Sequence, residues 1–468
     1  MNLPKVYMQN EIQTELDAIV IGAGLTGLTT AHTLKKRGKR VVVIEKEQRV
    51  GGQIHTYQQG DYTFESGPNT GVVSYPEVAE LFHDLAQWGC SLEEAHEEAR
   101  QRWIWKGAKF HAIPSSLIGA VRTPLFTWRD KFGILGEPFR RKGMNPDEDV
   151  ASMVVRRLGK SYLDYAVDPF VSGVYAGNPH TLITRFALPK LYNLEQNYGS
   201  FIRGGIAKSK EKKSERERLA TKKVFSAVGG LSRLTEALAQ SVGESNIILG
   251  AKEVVVMPMD GQWQVSYKTA TGETISLCSQ HVITTVGAYA LKTMLPFVEE
   301  ADMAAISALR YAPIIQVSVG LSDAHGVENK AFGGLIPTCE KQPFLGILFP
   351  SACFSQRCPT AGALYSFFIG GTNHTEMLDK TDAELQQMVC KGLTTMLGLP
   401  ANVQPDMIRI FRHERAIPQY ELSSGARFEA INRIEQAHKG LIIGGNLRDG
   451  IGMADRIRQA VRMGSQLA

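Results

Sequence analysis

The order of apolar runs and turn residues near the start of the chain predicts a strand, a helix and a second strand. Residues 18–21 form a short apolar run, typical of a strand buried on both faces. A glycine-rich turn follows at residues 22–27, and the helix after it ends with the basic residues 35–37 and Gly38, a suitable C-terminal cap. Residues 40–44 form the second strand. This order is typical of the β-α-β unit of a doubly wound parallel sheet.

Similar patterns return later in the chain, so we expect the domain that contains this unit to be discontinuous. The dipeptide Asp260-Gly261 is a strong hairpin signal between two apolar segments. The later segments are a helix carrying Leu231, Leu234 and Leu238 at helical spacing, strands around 247–257, 262–267 and 281–285, and a strand, a glycine turn and a helix (454–463) within 440–468. The other lobes are therefore predicted to be insertions into this domain.

Two insertions of different character lie between these segments. The first is mostly helical in pattern and includes a charged stretch at 208–223, which we expect to be a solvated, mobile loop. The second is rich in strand signals at 314–319, 344–349 and 363–369, which we expect to build a substrate chamber. The predicted domains are a nucleotide-binding domain (1–75, 224–290 and 435–468), a substrate-binding domain (76–98 and 291–434) and a helical insertion (99–223).

The glycine-rich turn has the spacing that dinucleotides require. Gly22 permits the tight turn, Gly24 lets the backbone approach a pyrophosphate, and Gly27 lets the helix pack close to the strand. The helix begins at this turn, so its free N–H groups face the phosphates. Glu45 follows the second strand, where an acid accepts hydrogen bonds from ribose hydroxyls. Strand, turn, helix, strand and acid together predict a dinucleotide site.

Composition narrows the class of protein. The 468 residues carry a net charge of only +5, which is too mild to indicate a nucleic-acid partner. The six cysteines include no C-x-x-C pair, which favours free thiols in a reducing compartment. No uncharged apolar run is long enough for a membrane span, and residues 1–15 lack the apolar core of a signal peptide. These features favour the cytoplasmic side of a cell.

Several later segments resemble the protoporphyrinogen oxidase family, the FAD- and oxygen-dependent type of heme biosynthesis. The segments that resemble it are DPFVSGVYAG at 168–177, LYNLEQNYGSFIRGG ending at Gly205, AIPQY at 416–420, GGNLRDGIGM at 444–453 and ESGPNT at 65–70. The resemblance extends from about Ala18 to the C-terminus. It implies a fold of α/β plus α+β type, with a discontinuous Rossmann-like FAD-binding domain of the amine oxidase type, a mixed-sheet substrate domain and a helical insertion.

The resemblance also implies a set of FAD contacts. They are Gly22, Ala23, Gly24, Leu25, Thr26, Gly27, Glu45, Gly51, Gly52, Gln53, Gly67, Pro68, Asn69, Thr70, Gly445, Ile451, Gly452 and Met453, with a backbone contact to adenine from Val254. Many relatives have a basic residue where this chain has Gln53, so a charge contact there is in doubt. A helix beginning after Gly452 gives the last group its own physical reason, because the helix N-terminus favours an anionic ring edge.

For the substrate, the resemblance implies a flat macrocycle bound in an apolar chamber with a cationic rim. It assigns Arg102 to a propionate, and Gly173, Leu345 and Phe349 to the chamber. The implied reaction passes hydride from a meso carbon to the flavin in three two-electron steps, and oxygen reoxidises the flavin. No metal motif appears, and we name no catalytic acid or base.

Alternatives remain open at this point. Coproporphyrinogen III, with two more propionates, is a second substrate for the same chemistry. A flavin amine oxidase fits the segments at 168–177 and 416–420 less well. A porphyrin- or nucleotide-binding carrier without turnover is the alternative from another class.

The helical insertion also predicts a contact with a membrane. Residues 117–142 mix apolar with basic side chains, which suggests peripheral binding at the inner face of the cell membrane. The apolar residues are Leu125, Phe126, Trp128, Phe132, Leu135 and Phe139, and the basic ones are Arg122, Arg129, Lys131, Arg140, Arg141 and Lys142. A basic amphipathic helix packed on its own domain is the other interpretation. Besides the porphyrinogen and oxygen, a downstream chelatase that receives the product is an expected partner.

Overall fold

A computed structural model describes residues 16–467, and for Leu117 it describes the backbone only. The predicted lack of a signal peptide concerns residues 1–15, which lie outside this range. The strands are β1 Leu16–Ile21, β2 Val41–Ile44, β3 Thr56–Gln59, β4 Tyr62–Glu65, β5 Gly71–Val72, β6 Leu92–Glu94, β7 Arg102–Lys106, β8 Lys109–Ala112, β9 Val224–Ala227, β10 Ile247–Ile248, β11 Lys252–Met259, β12 Gln262–Lys268, β13 Thr274–Thr284, β14 Tyr311–Leu321, β15 Gly333–Leu335, β16 Gly346–Leu348, β17 Ala363–Gly370, β18 Met407–Pro418 and β19 Leu441–Ile443.

The helices lie between and after these strands, and α3 to α11 follow one another between β8 and β9. They are α1 Leu25–Lys36, α2 Pro76–Leu85, α3 Leu117–Arg122, α4 Trp128–Gly133, α5 Val150–Arg157, α6 Lys160–Tyr162, α7 Asp168–Tyr175, α8 Thr184–Ala187, α9 Pro189–Tyr198, α10 Phe201–Ser209, α11 Glu215–Arg218, α12 Ser232–Val242, α13 Ala288–Met294, α14 Glu300–Ser307, α15 Pro350–Cys353, α16 Asp382–Leu397, α17 Ser424–Ala437 and α18 Met453–Gln466. Short 3₁₀ turns include Ile134–Phe139 and Thr338–Glu340, and a π-helical turn, Leu163–Val167, leads into α7.

The first sheet contains the predicted β-α-β unit. Its strands run in the order β10-β2-β1-β13-β12-β11, and β19 also pairs with β13. The long β13 pairs in parallel with β1 and β19 along its second half and antiparallel with β12 along its first half. Asp260 and Gly261 both have positive φ, at 37° and 81°, as the predicted hairpin turn requires. The strands predicted over 18–21 and 40–44 are confirmed as β1 and β2, with bounds that differ by at most two residues. The strand predicted over 281–285 is the last part of β13, which begins earlier, at Thr274.

The second sheet has two chemically different faces. Its strands run in the order β18-β14-β17-β16-β15-β7-β8, antiparallel except for the parallel pair β15–β7. One face carries Val317 and Phe367 and packs in a single apolar core with α16 residues such as Leu385. The opposite face, which we call the inner face, carries Gln316, whose amide donates to the carbonyl oxygen of Glu65 at 2.5 Å. The inner face therefore meets the nucleotide-binding part of the chain.

The structure differs from the sequence-based prediction at the start of the helical insertion. Residues 102–106 and 109–112 are strands of the second sheet and not helical. The reason is that large apolar side chains occur here at every second residue, as on one face of a strand. Trp103 and Trp105 both contact Phe110 and belong to the core on the α16 side. A two-residue alternation of such large side chains suits a sheet.

Two neighbouring segments also lie elsewhere than expected. We assigned residues 76–98 to the substrate part, but Val78 and Phe82 of α2 belong to the core beside the first sheet. The charged stretch at 208–223 is exposed, as expected, yet it is not a free loop: α11 is capped by Ser214, and Arg216 bonds Glu80 at 2.6 Å. Its counter-charges lie on α2, far away in sequence, so the local pattern did not reveal them. The domain limits themselves stay predictions.

The remaining insertion is helical, and buried charge fastens it together. Arg157 and Glu137 are both fully buried and form an ion pair, and Glu137 also accepts from the N–H groups of Phe201 at 2.9 Å and Ile202 at 3.2 Å. Among residues 16–467, no helix combines the length and the apolar character needed to cross a membrane.

Candidate functional site

Glycine turns meet where the parallel strands of the first sheet end. Gly22 follows β1 and Gly445 follows β19, with φ of 104° and 94° respectively. A Cβ atom on Gly22 would lie 2.8 Å from Oγ1 of Thr285, and one on Gly445 would lie 3.0 Å from the Thr285 carbonyl oxygen. Thr285 itself, at the end of β13, donates its N–H to Ile21 at 2.9 Å. Open α/β sheets bind ligands at this carboxyl edge.

The N-terminus of α1 has the features of a phosphate cradle. Gly24 is its N-cap, with no side-chain cap and no acidic residue in the first turn. Leu25 and Thr26 are nevertheless only 7% and 6% exposed, and a buried helix end needs partners for its N–H groups. A Cβ atom on Gly24 would contact only the Cα atom of Gly52, at 3.9 Å, so the space beside it is open. These residues fit a pyrophosphate.

Gly27 allows close packing of the helix on the strand, and its predicted contact to FAD stays a prediction. A Cβ atom there would lie 1.8 Å from the carbonyl oxygen of Gly22, so only glycine lets the helix approach the strand. This matches the role predicted for the third glycine of the turn.

Glu45 lies at the end of β2 beside this cradle. Its carboxylate is 7% exposed and accepts from the N–H groups of Ala23 at 2.7 Å and Glu47 at 3.0 Å. Each carboxylate oxygen can accept a second hydrogen bond. The protein therefore orients this carboxylate, and the predicted contact to a ribose stays a prediction.

The second glycine pair packs against the first turn. Gly51 donates to the carbonyl oxygen of Ala23 at 2.8 Å, and Arg49 donates to that of Gly52 at 2.8 Å and of Ile54 at 3.2 Å. Gln53 is exposed, and its carbonyl oxygen would lie 2.1 Å from a Cβ atom on Gly67. The structure thus brings 51–53 and 67–70 to one place. Arg49, which sequence reasoning did not select, fastens this loop.

The segment 65–70 lies between the two sheets. The buried carboxylate of Glu65 accepts from the N–H of Leu231 at 2.9 Å and the hydroxyl of Thr56 at 2.8 Å, and burial raises its pKa. Asn69 accepts from the Ser366 hydroxyl of β17 at 3.0 Å. Gly67, Pro68, Asn69 and Thr70 are therefore fixed beside the inner face.

The loop before α18 is held by buried donors that the sequence-based prediction missed. The Tyr420 hydroxyl donates to Asn446 at 2.9 Å, Arg427 Nε to Leu447 at 3.0 Å, and Arg456 to Arg448 at 2.8 Å, in each case to the carbonyl oxygen. Arg427 and Arg456 have no carboxylate within 4.0 Å among the described residues. Burial lowers the pKa of Arg427 to about 10. Only Tyr420 had a sequence signal, in AIPQY.

One detail of the helix that we predicted to begin after Gly452 needs correction. Gly452 is the N-cap of α18, as expected, but the Asp455 carboxylate accepts its N–H at 3.1 Å. This acid offsets part of the positive helix end that we invoked for Ile451, Gly452 and Met453.

Val254 lies at an irregularity of β11. The pairing of β11 with β12 breaks between Lys252 and Val255, and Glu253 has φ of 48°. A bulge leaves residues outside the ladder, so the backbone of Val254 is suited to the predicted adenine contact.

The inner face carries most of the predicted substrate residues. Arg102 pairs with Gly333, Gly333 with Leu348, and Leu348 with Ser366, so these four residues form one row across the sheet. A Cβ atom on Gly173 of α7 would lie 2.4 Å from Leu335, two residues along β15 from Gly333. Leu345 belongs to a cluster with Ala176 and Ile314. Helix α7 therefore covers part of the inner face.

Phe349 does not lie with them. It is fully buried on the α16 side, with its ring centroid 5.7 Å from those of Trp103 and Tyr365. Alternation along the strand instead places Leu348 on the inner face, where it lines a small cavity with Thr70 and Phe332. We therefore assign the wall position to Leu348.

Arg102 has a side chain that is available to a ligand. It is exposed, has no ion pair among the described residues, and its guanidinium carbon lies 5.5 Å from the centre of the Phe332 ring. Phe332 lines the same cavity, so Arg102 lies at the rim of the inner face.

Comparisons with known proteins match this architecture. The model of the flavin containing amine oxidoreductase family matches residues 25–446. The chain is 29% identical to protoporphyrinogen oxidase 2, chloroplastic/mitochondrial, of Arabidopsis thaliana, covering 94% of this chain and 91% of the relative. It is 28% identical to protoporphyrinogen oxidase of Homo sapiens, covering 94% and 95%.

A solved structure supports the same fold. The crystal structure of a protein of Exiguobacterium sp. 255-15 superposes with a TM-score of 0.79 at 19% identity, covering 97% of this chain and 99% of that one. The predicted fold class is confirmed.

We expect Gly24→Val to give a folded protein without FAD, because the new side chain occupies the open cradle and meets no backbone atom closer than 3.9 Å at Cβ. FAD content and circular dichroism of the purified variant measure this. Gly133→Val, at a helix position where a Cβ atom would meet no atom within 4 Å, is the control and should keep its FAD. Full flavin occupancy in Gly24→Val would contradict the assignment of the turn.

Proposed function

The chain belongs to the flavin containing amine oxidoreductase family, and on that premise we propose that it oxidises protoporphyrinogen IX to protoporphyrin IX with oxygen as acceptor. It is a flavin-dependent oxidoreductase whose cofactor is FAD. The relatives named as protoporphyrinogen oxidases align over nearly the whole chain, which supports the choice of substrate.

One observation supports this proposal most strongly. The inner face of the second sheet lies against the segment 65–70 on one side and under α7 on the other, with Arg102 at its rim. Leu348 lines one cavity with Asn69 and Thr70, two of the expected FAD contacts, and Leu345 adds an apolar residue beside Ala176. An apolar wall with one cation at its edge suits a flat macrocycle that carries carboxylates on one side.

The residues of this chain supply binding and orientation. Bound FAD supplies the two-electron oxidation, which no side-chain chemistry replaces. The α1 N-terminus and Gly24 would hold the pyrophosphate, Glu45 the ribose, and 451–453 the ring edge. The inner face would hold the porphyrinogen and exclude water from it, and Arg102 would fix its orientation in the plane.

Product formation in air tests the proposal. The holoenzyme should convert protoporphyrinogen IX to a fluorescent porphyrin with release of hydrogen peroxide, and under anaerobic conditions the substrate should bleach the yellow flavin. A protein that binds porphyrin but never bleaches would be a carrier. Bleaching with an amine and not with a porphyrinogen would favour the amine oxidase alternative.

Arg102→Ala should lower kcat/KM by roughly 10- to 150-fold, because a charge-assisted bond to a propionate contributes about 1.5–3 kcal/mol. The loss should appear mainly in KM if the anchor binds ground and transition states alike. Steady-state kinetics with FAD content and thermal midpoint as checks measure this. Arg100→Ala is the matched control, since Arg100 is an exposed neighbour that faces Glu97 at 3.7 Å. Equal kinetics for the two variants would remove Arg102 as the anchor.

We also propose peripheral membrane binding through the helical insertion. Ile118, Trp128, Phe132, Leu135 and Phe139 are 60% or more exposed, the last of them 83%. Two of the residues named from sequence do not take part, because Leu125 is buried and Phe126 stacks on Tyr162 at 4.2 Å. The surface is defined by these five exposed side chains, with Arg122, Arg129 and Arg141 close to them in sequence. All six cysteines are free, which supports a location at the cytoplasmic face, where product could pass to a downstream chelatase.

Flotation with anionic vesicles should show binding that weakens with salt, since each basic residue contributes on the order of 1 kcal/mol near the leaflet. Phe132→Asp combined with Phe139→Asp should abolish flotation. Leu422→Asp, which is 64% exposed but far from the insertion in sequence, should bind like the unchanged protein. No flotation of the unchanged protein at low salt would exclude this surface as a membrane contact.

A further inference from the structure

Helix α7 lies directly on the inner face of the second sheet. A Cβ atom on Gly173 would lie 2.4 Å from Leu335, the last residue of β15, so the two residues are in van der Waals contact. At the end of the helix, Ala176 packs in one apolar cluster with Leu345 and Ile314. The helix and the sheet therefore touch in the part of the inner face that contains Gly173 and Leu345, two of the residues assigned to the substrate.

A macrocycle needs more room than this contact leaves. Apolar heavy atoms touch at about 3.5–4.0 Å, so two surfaces that hold a flat ring between them lie about 7–8 Å apart. The cavity that Leu348, Phe332 and Thr70 line at the inner face has about 10 Å³, enough for one water molecule. A porphyrinogen cannot lie between Gly173 and Leu335 while these two residues touch. Helix α7 must therefore move away from the sheet when such a substrate binds there.

Polar bonds to an exposed turn hold the start of α7. The carboxylate of Asp168, the first residue of the helix, accepts from the N–H of Thr338 at 2.7 Å and from its hydroxyl at 2.9 Å, and we call these two bonds the latch. The Tyr165 hydroxyl, shortly before the helix, donates to the Glu340 carboxylate of the same turn at 3.0 Å. Thr338 is exposed, so water can replace the latch bonds when they break. Burial raises the pKa of Asp168, and its carboxylate regains hydration when the latch opens.

The other end of α7 is held in the interior. Gln419 is 1% exposed, and its Nε2 donates to the carbonyl oxygen of Tyr175 at 2.8 Å. Thr372 donates its N–H to the carbonyl oxygen of Ala176 at 2.8 Å. Ala176 is also 1% exposed and has φ of 48°, a left-handed conformation that is uncommon for alanine and is typical of strained positions. The buried end is therefore suited to be the pivot, and the latched start is the part that can open.

The chain just before α7 has an irregular backbone. The residues Leu163–Val167 form a π-helical turn that leads into the helix. Such turns are rare and are frequent at functional sites. A turn of this kind next to the latch gives the start of α7 a segment that can absorb a change of direction.

We propose that α7 is a lid over the inner face, which pivots at Ala176 and opens when the latch between Asp168 and Thr338 breaks, so that the macrocycle enters between Gly173 and Leu335. This inference rests on the proposed function and adds how the substrate reaches its site. A bound macrocycle keeps the helix lifted, so the latch stays open in the loaded enzyme. The free energy needed to open the latch therefore lowers the apparent affinity for the macrocycle.

Binding of protoporphyrin IX to the holoenzyme, followed by fluorescence at equilibrium and by stopped flow, tests the lid. Thr338→Val removes one latch bond and should tighten binding by roughly 5- to 30-fold, because a hydrogen bond to a carboxylate no longer opposes opening. The gain should appear in the association rate. Thr395→Val is the matched control and should change neither rate nor affinity. Thr395 is an exposed threonine of α16 whose hydroxyl donates to the Lys391 carbonyl oxygen at 2.9 Å.

Hydrogen exchange measures the latch directly, because the N–H at position 338 forms one of its two bonds. The protection factor of this amide should fall when protoporphyrin IX binds to the unchanged holoenzyme. It should also be lower in Thr338→Val than in the unchanged protein without porphyrin. The thermal midpoints of Thr338→Val and Thr395→Val should stay close to that of the unchanged protein, which separates opening of the lid from loss of the fold.

Equal or weaker binding in Thr338→Val overturns the lid, and so does an amide at position 338 whose protection does not fall when porphyrin binds. If the holoenzyme oxidises protoporphyrinogen IX and gives either of these results, only this inference fails. A holoenzyme that neither oxidises the porphyrinogen nor binds the porphyrin overturns the proposed function, and the lid with it.

Discussion

The packing of the Gly22 and Gly445 turns against Thr285 is the constraint on which the rest of the molecule depends. Each turn ends a parallel strand, and each approaches Thr285 more closely than a side chain would allow. The three segments are more than 150 residues apart in sequence, yet their contact determines where the first sheet ends and where α1 and α18 begin. Because Gly51 donates to Ala23 beside the same edge, the second glycine pair is positioned by this contact too. The cofactor cradle is therefore a consequence of how the strands terminate.

The substrate face is tied to that cradle by few but buried hydrogen bonds. Gln316 donates to Glu65, Ser366 to Asn69, and His413 contacts the Ser66 carbonyl oxygen at 2.6 Å, so three strands of the second sheet hold one short segment. A buried polar group without a partner is costly, so these bonds hold the segment 65–70 against the inner face. On the far side, Arg427 and Arg456 hold the loop before α18 through carbonyl oxygens. Burial lowers the pKa of both guanidinium groups, because removal from water disfavours their charged form.

Buried charge plays a different role in the helical insertion. Helix α10 has its own N-cap, Ser200, and Glu137 accepts two further N–H groups of its first turn although it lies more than sixty residues earlier. Arg157 forms an ion pair with Glu137. Close to Glu137 in sequence, Trp128, Phe132, Leu135 and Phe139 expose large apolar side chains. An exposed apolar surface of this kind is typical of a region that meets another phase or partner.

Local sequence determined the elements whose cause is local. Three such elements depend on glycine conformations and apolar periods that are visible within a few residues, and the structure agrees with them. They are the strand, turn and helix around Gly22–Gly27, the hairpin at Asp260-Gly261, and the start of the helix after Gly452. Three other features were decided only by tertiary structure. Phe349 lies in the core because strand alternation relative to its neighbours places Leu348 on the inner face. The stretch at 208–223 is held because the acids that pair with Arg216 lie on α2. The latch between Asp168 and Thr338 forms only because two distant segments converge, and no local pattern records a contact between residues that the chain brings together only when it is folded.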